Sequence, residues 1–301
     1  MQSVLKATGI TKRYGRRPIL TGLDMHLERG DIYAFIGLNG TGKTTFMRIV
    51  LGLAERTVGE LELFGSKDDL ASARARIGLI VEKPGLYDHA SAYENMRRFA
   101  ILRGSTDEEI WDLLTFVGLK EAGLKKVGDF SLGMRQRLGI AIALLGDPEL
   151  LILDEPIIGL DPAGIRDVRD VLLRLNREKG VTILISSHML DELARIATRY
   201  GILFGGKIRE EITAEELDAR CKTLLLLQCD QIDKAVELLS IRMSRTHIHV
   251  KAEGIYLSQY VDKGAEINRY LLENGVSLTG ISQVKQGAES YFVERMGSLH
   301  V

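Results

Sequence analysis

The sequence has no excess of basic residues: 40 lysines and arginines stand against 41 acidic residues, a formal charge of −1. Proteins held to nucleic acid through phosphate contacts usually carry such an excess, so no nucleic-acid partner is expected. Long apolar runs are missing too. The longest stretches without a charged side chain are eleven residues, at 32–42, 180–190 and 274–284. A membrane-spanning helix needs about 20 mostly apolar residues, so none is expected. The opening Met1-Gln2-Ser3-Val4-Leu5-Lys6 has no apolar core before Lys12 and Arg13, unlike a secretory signal. Cysteine is scarce: Cys221 and Cys229 fit neither a zinc knuckle nor a redox pair and read as free thiols. These absences predict a soluble cytoplasmic protein.

Glycine is abundant, with 31 residues scattered between apolar runs. A chain of 301 residues gives a prior of about two domains. Apolar or β-branched runs at 32–36, 77–81, 150–153, 181–185 and 201–204 are mostly separated by stretches of helical periodicity. That alternation predicts an α/β domain with a largely parallel sheet. Between the second and third runs the text turns helical, with helices expected at 92–102 and 108–117. Ser105 and Thr106 each precede a glutamate by three residues, a capping-box start for the second of them. A third helix is expected to start near Ser131, with Leu138, Ile140, Leu144 and Leu145 along one side.

A boundary is expected near Thr213, where Thr213-Ala214-Glu215-Glu216 opens a short helix to Arg220. Beyond it the expected order is strand 223–229, helix 232–239, strands 246–251 and 255–258, helix 263–273 and strand 276–283. This is β-α-β-β-α-β, the split βαβ or ferredoxin-like pattern. His247 and His249 alternate on one expected strand without an accompanying carboxylate or cysteine cluster, so an exposed strand face is favoured over a metal site.

Gly37-Leu38-Asn39-Gly40-Thr41-Gly42-Lys43-Thr44 fits G-x-x-x-x-G-K-[ST], between an apolar strand and an amphipathic run (Phe46, Met47, Ile49, Val50), and these eight residues with Thr45 are expected to bind the nucleotide. Successive backbone N–H groups of such a loop converge on phosphate at a helix N-terminus. Lys43 adds a point charge on the β- and γ-phosphates, and the Thr44 hydroxyl suits Mg2+. The run Leu150-Leu151-Ile152-Leu153 then delivers Asp154 and Glu155, 111 residues beyond Lys43. Alone, such a strand end reads equally as solvated. Paired with the phosphate loop, Asp154 suits the Mg2+ shell, and Glu155 suits the orientation and deprotonation of an attacking water.

Asp129-Phe130-Ser131-Leu132-Gly133-Met134-Arg135-Gln136-Arg137 is similar to the signature of ATP-binding-cassette (ABC) ATPases. With the two motifs above, the resemblance covers about residues 4–212. It implies a P-loop NTPase domain over 1–212 with a mainly helical insert at about 88–146, followed by a small α+β accessory domain over 213–301. It implies ATP and Mg2+, and two copies sandwiching two ATP molecules. Ser131 and Gly133 would then face the γ-phosphate held by the second copy. The common family pattern has glycine where this chain has Leu132 and glutamine where it has Met134. The resemblance also implies that Tyr14 stacks on adenine, that the Gly159-Leu160-Asp161 loop touches the opposite copy, and that His188 senses the γ-phosphate.

Glu82 departs from the pattern, because the family usually has a glutamine there, contacting Mg2+ or the attacking water and coupling to the membrane partner. A carboxylate can still ligate the metal, and a solvated strand-end acid is the alternative. The stretches Ile80-Val81-Glu82-Lys83-Pro84-Gly85-Leu86-Tyr87 and Phe130-Ser131-Leu132-Gly133-Met134-Arg135-Gln136-Arg137-Leu138-Gly139-Ile140-Ala141 resemble the bacitracin-resistance and lantibiotic-immunity branch of ABC exporters. The expected function is an ATP-hydrolysing motor driving a separate transmembrane permease at the inner face of the membrane. The alternatives are a motor for sodium, drug or polysaccharide export, or a soluble ABC ATPase acting on ribosomes or DNA. A single phosphate loop and a spacing of 111 residues disfavour that last class.

Overall fold

Ile32–Ile36 is buried at all five positions, as are Leu150–Asp154 and Thr182–Ser186. Side chains alternate across a strand, so burial at every position requires a sheet covered on both faces. The computed structural model describes residues 2–82, 84–187, 189–221, 223–285, 287–288, 290–292 and 295. Two compact units meet in sequence at Ala214 and Glu215.

The first unit opens with β1 (Ser3–Tyr14), β2 (Arg17–Glu28), β3 (Ile32–Ile36), α1 (Lys43–Val50), β4 (Val58–Leu63), α2 (Leu70–Ala75) and β5 (Ile77–Ile80). Three helices follow: α3 (Ala92–Arg103), α4 (Asp107–Phe116) and α5 (Leu132–Ala143). The unit continues through β6 (Leu150–Asp154), α6 (Pro162–Lys179), β7 (Thr182–Ser186), α7 (Leu190–Ala194), β8 (Arg199–Phe204) and β9 (Lys207–Thr213). The main sheet runs β5-β6-β7-β3-β8-β9 and is parallel except at the β8–β9 pair.

A second sheet, ordered β2-β1-β4, is antiparallel throughout. The apolar runs do not announce it. In β2 the buried Leu23, Met25 and Leu27 alternate with Asp24 and His26, so the strand carries one apolar face and no continuous run. That face joins Phe46, Met47, Ile49 and Val50 of α1, and Phe35 and Leu184 of the main sheet, in one core. The phosphate-loop helix is thereby held between two sheets.

In the helical insert, Thr106 rather than Ser105 caps α4, accepting from the Glu109 N–H at 3.2 Å. A capping box that the sequence reading overlooked opens α3: Ser91 accepts from Glu94, and the Glu94 carboxylate accepts from the Ser91 N–H. Ser131 caps α5.

Helix α8 (Ala214–Arg220) leads into the second unit, which comprises β10 (Thr223–Gln228), α9 (Ile232–Arg242), β11 (Ile248–Lys251), β12 (Gly254–Leu257), α10 (Gly264–Glu273) and β13 (Gly280–Lys285). Its sheet runs β11-β12-β10-β13, all pairs antiparallel, over a core that includes Leu225, Leu227, Leu239, Ile255, Leu257, Ile267 and Leu271. Several boundaries differ from expectation: α9 runs on to Arg242, and β11 and β13 start later. The Val276 N–H donates to Leu271 O at 2.9 Å, closing the end of α10, so β13 starts later. Arg245–His247 forms a 3₁₀ turn capped by Ser244, so His247 lies outside the strand and its Nδ1 sits 2.8 Å from Ser258 Oγ. His249 alone is on β11, exposed, and no three-ligand metal cluster occurs among the described residues. No helix among those residues is long and apolar enough to cross a membrane.

Candidate active site

Strand β3 ends at Ile36, and the chain turns through Gly37–Gly42 before α1 begins at Lys43. Gly42 has φ +114, a region other residues rarely adopt, and a Cβ there would stand 2.7 Å from Leu20 Cδ2. No side chain caps α1 and no acid occupies its first turn, which leaves N–H groups open to an anion. Lys43 is buried; its Nζ donates to Gly37 O at 2.6 Å and Leu38 O at 3.2 Å. Burial pushes its pKa below the ordinary lysine value, against the opposing pull of Glu155 and Asp154. Thr41 braces the loop by donating from its hydroxyl to Leu38 O at 2.7 Å.

Asp154, at the end of β6, accepts from the Thr44 hydroxyl at 2.6 Å and from the Ser186 hydroxyl at 2.5 Å. The adjacent Glu155 holds φ +51, a conformation that costs a non-glycine residue about 1–3 kcal/mol. Its N–H donates to both the carbonyl and the hydroxyl oxygen of Ser186, at 3.1 Å each. Ser186 therefore fixes both acids. Sequence reasoning missed it, because a serine closing an apolar strand carries no chemical signature of its own.

A cleft of about 350 Å3 brings Asn39, Gly40, Gly42, Lys43, Thr44 and Thr45 together with Asp154 and Glu155. It also takes in Arg17 and Ile19 of β2, which the sequence reading did not single out. Tyr14 is not among the lining residues; it stands opposite Arg17 in the β1–β2 ladder, exposed, with Lys12 Nζ 4.7 Å from its ring centroid.

Other expected residues lie away from this lining. Ser131 Oγ accepts from Met134 N at 3.2 Å, and a Cβ at Gly133 would stand 3.3 Å from Gly164 Cα. Asp161 caps α6, accepting from the Gly164 N–H at 3.0 Å, so the starts of α5 and α6 are neighbours. Glu82, at φ +69, is exposed and paired with Arg48 of α1. His188 lies outside the described residues.

The sequence profile of the family described as ABC transporter matches residues 20–158. The bacitracin transport ATP-binding protein BcrA of Bacillus licheniformis is 40% identical over 301 residues, covering 99% of this chain and 98% of that protein. The chain belongs to the ABC transporter family. The lantibiotic transport ATP-binding protein SrtF of Streptococcus pyogenes is 44% identical over 205 residues, 68% of this chain and 89% of its own. Among solved structures, the ADP conformation of the ATP-binding cassette MJ1267 aligns with TM-score 0.66 at 25% identity, covering 72% of this chain and 93% of that one. A dimeric post-hydrolysis cassette, MJ0796 with ADP and Pi, aligns with TM-score 0.62 at 25% identity, covering 70% and 99%. The first unit is thus an ABC ATPase domain of the P-loop NTPase fold, and the chain is the ATP-binding subunit of a transporter.

Proposed function

We propose that this ABC ATPase is the motor of an exporter for antimicrobial peptides of the bacitracin or lantibiotic type. The observation that carries the chemistry is the single cleft in which Lys43, Thr44, Asp154 and Glu155 converge. Similarity along the whole length to BcrA supports the cargo class.

In this reading the N–H groups at the start of α1 and the Lys43 ammonium hold the β- and γ-phosphates of ATP. The Thr44 hydroxyl and the Asp154 carboxylate, 2.6 Å apart, are the hard oxygen donors that suit Mg2+. When bound, the ion neutralises charge on the phosphate oxygens. Glu155 orients a water and takes its proton as the water oxygen attacks the γ-phosphorus, with the leaving oxygen departing on ADP. Tyr14 stacks on adenine. The starts of α5 and α6 reach the second copy, Ser131 and Gly133 toward its γ-phosphate and Asp161 toward its facing loop. Glu82 would supply a further carboxylate oxygen in or next to the Mg2+ shell of the closed state, and His188 responds to the γ-phosphate.

Closure of two copies on two ATP molecules drives a separate transmembrane permease at the inner face of the membrane. The domain division, 1–212 and 213–301, is supported by the two compact units. The second unit is an accessory domain of split βαβ, ferredoxin-like order, a reading supported by its strand order β11-β12-β10-β13.

The test is protection of sensitive cells against bacitracin and a lantibiotic, with the co-purifying membrane protein expressed alongside. Wild-type chain should protect, and Glu155→Gln should not. A complex that hydrolyses ATP yet protects against neither peptide would remove the cargo reading.

A further inference from the structure

Arg17 is a charged cleft-lining residue that neither the phosphate loop nor the acid pair explains. It begins β2, directly opposite Tyr14 across a two-residue turn, and directly opposed residues of an antiparallel pair project to the same face. Pro18 follows it and restricts its backbone to extended conformations. The strand that carries it is fixed from two sides. A Cβ at Gly42 would meet Leu20 Cδ2 at 2.7 Å and Ile19 Cγ2 at 3.2 Å, so β2 rests directly on the phosphate loop. Thr21 donates from its N–H to Gly206 O and from its hydroxyl to Gly205 O, both at 2.9 Å.

The Arg17 side chain, by contrast, is exposed and has no carboxylate or carbonyl partner among the described residues. Its neighbours are committed. Lys12 Nζ donates to Glu55 O at 2.6 Å, and Lys43 Nζ to Gly37 O and Leu38 O. The cleft holds two carboxylates, Asp154 and Glu155, against Lys43. Arg17 adds a second side-chain cation to Lys43 in that lining. A guanidinium stays charged at any working pH, and its planar fork matches phosphate oxygens two at a time.

We propose that Arg17 is a second nucleotide-binding cation, whose guanidinium pairs with the phosphate chain of ATP opposite Lys43. This rests on the reading of the cleft as the ATP site and extends it to a residue outside the phosphate loop. A fixed stalk carrying an unpaired guanidinium makes the contact with little ordering cost beyond the side chain itself. Because the group faces solvent, its contribution falls with salt, the screening length being about 8 Å at physiological ionic strength.

The experiment titrates the full-length chain with MgATP by calorimetry, and with adenosine by competition. It compares wild type, Arg17→Ala, Arg17→Lys and Lys43→Ala at low and at moderate salt. Arg17→Ala is expected to weaken ATP binding about tenfold, equivalent to about 1.4 kcal/mol. Arg17→Lys should lose less, adenosine affinity should hold, and the salt dependence of ATP binding should flatten. In the ATPase assay KM should rise while kcat changes less than about twofold, the mark of lost uniform binding. The nucleotide-free unfolding midpoint should not move, which separates the effect from a folding defect. If Arg17→Ala binds ATP like wild type while Lys43→Ala does not, the inference falls and the cleft reading survives. Equal loss of ATP and adenosine would place the guanidinium on the base and overturn the phosphate assignment. Wild-type ATP affinity in Lys43→Ala would remove the cleft reading itself, and this inference with it.

Discussion

The Thr44 hydroxyl donates to the Asp154 carboxylate at 2.6 Å, although 110 residues separate them. The contact joins the first turn of α1 to the end of β6, and the Ser186 hydroxyl holds the other carboxylate oxygen. Asp154→Asn keeps the side-chain shape and removes the charge. In EDTA the variant should fold with near wild-type stability, since the amide can still hydrogen-bond both hydroxyls. In Mg2+ it should bind ATP at least about tenfold more weakly than wild type, the scale of a lost charged contact. Titrations with and without Mg2+ check this. Equal metal dependence in both proteins would detach Asp154 from the ion.

Glu155 is held at positive φ by its two hydrogen bonds to Ser186. Glu155→Gln should retain ATP binding and lower hydrolysis by roughly 10²–10⁴, the usual worth of a positioned acid–base group. The same change should accumulate an ATP-bound dimer, visible by size-exclusion chromatography with light scattering. Wild-type turnover would exclude Glu155 as the base.

The phosphate loop, the paired acids and the signature helix were legible because each combines a chemical residue pattern with a strand or helix that the text also announces. Ser186 was not, since its role exists only once β6 and β7 are neighbours. Arg17 and Ile19 escaped for a related reason: the β1–β2 hairpin alternates polar and apolar residues with no continuous run, and its register alone brings β2 onto Gly42. In the second unit the element order was readable, whereas the starts of β11 and β13 depended on how the preceding turn or helix closed its hydrogen bonds.

Glu82 has a partner in the structure that its place in the sequence does not announce. Its carboxylate pairs with Arg48, both side chains being well exposed. Exposed pairs contribute about 0–1 kcal/mol, so Arg48→Ala should barely change stability. Its effect should instead appear in coupling. Glu82→Gln should leave ATP binding intact with a modest change in ATPase rate, and Glu82→Ala should reduce peptide protection more than it reduces binding. Full protection and full ATPase activity in Glu82→Ala would mark the residue as a solvated strand-end acid.

Helix α5 passes the segment that follows Glu82 at Gly139. A Cβ at this position would stand 2.6 Å from Pro84 Cγ and 2.9 Å from Pro84 Cβ. Two effects oppose each other in Gly139→Ala. Alanine favours a helix interior over glycine by about 1 kcal/mol. Forcing a methyl group into occupied space costs about 1–3 kcal/mol, and a proline ring cannot swing aside as a flexible side chain would. The clash should win, lowering the unfolding midpoint of the first unit by a few degrees, at about 2–4 °C per kcal/mol for a domain of this size. Pro84→Gly in the same chain removes both obstructing carbons, so the double variant should recover much of the loss. The two changes should therefore be non-additive by more than about 0.5 kcal/mol, measured by thermal and urea unfolding as a double-mutant cycle. Strict additivity would mean that α5 and the Glu82 segment are not in contact through Gly139 and Pro84.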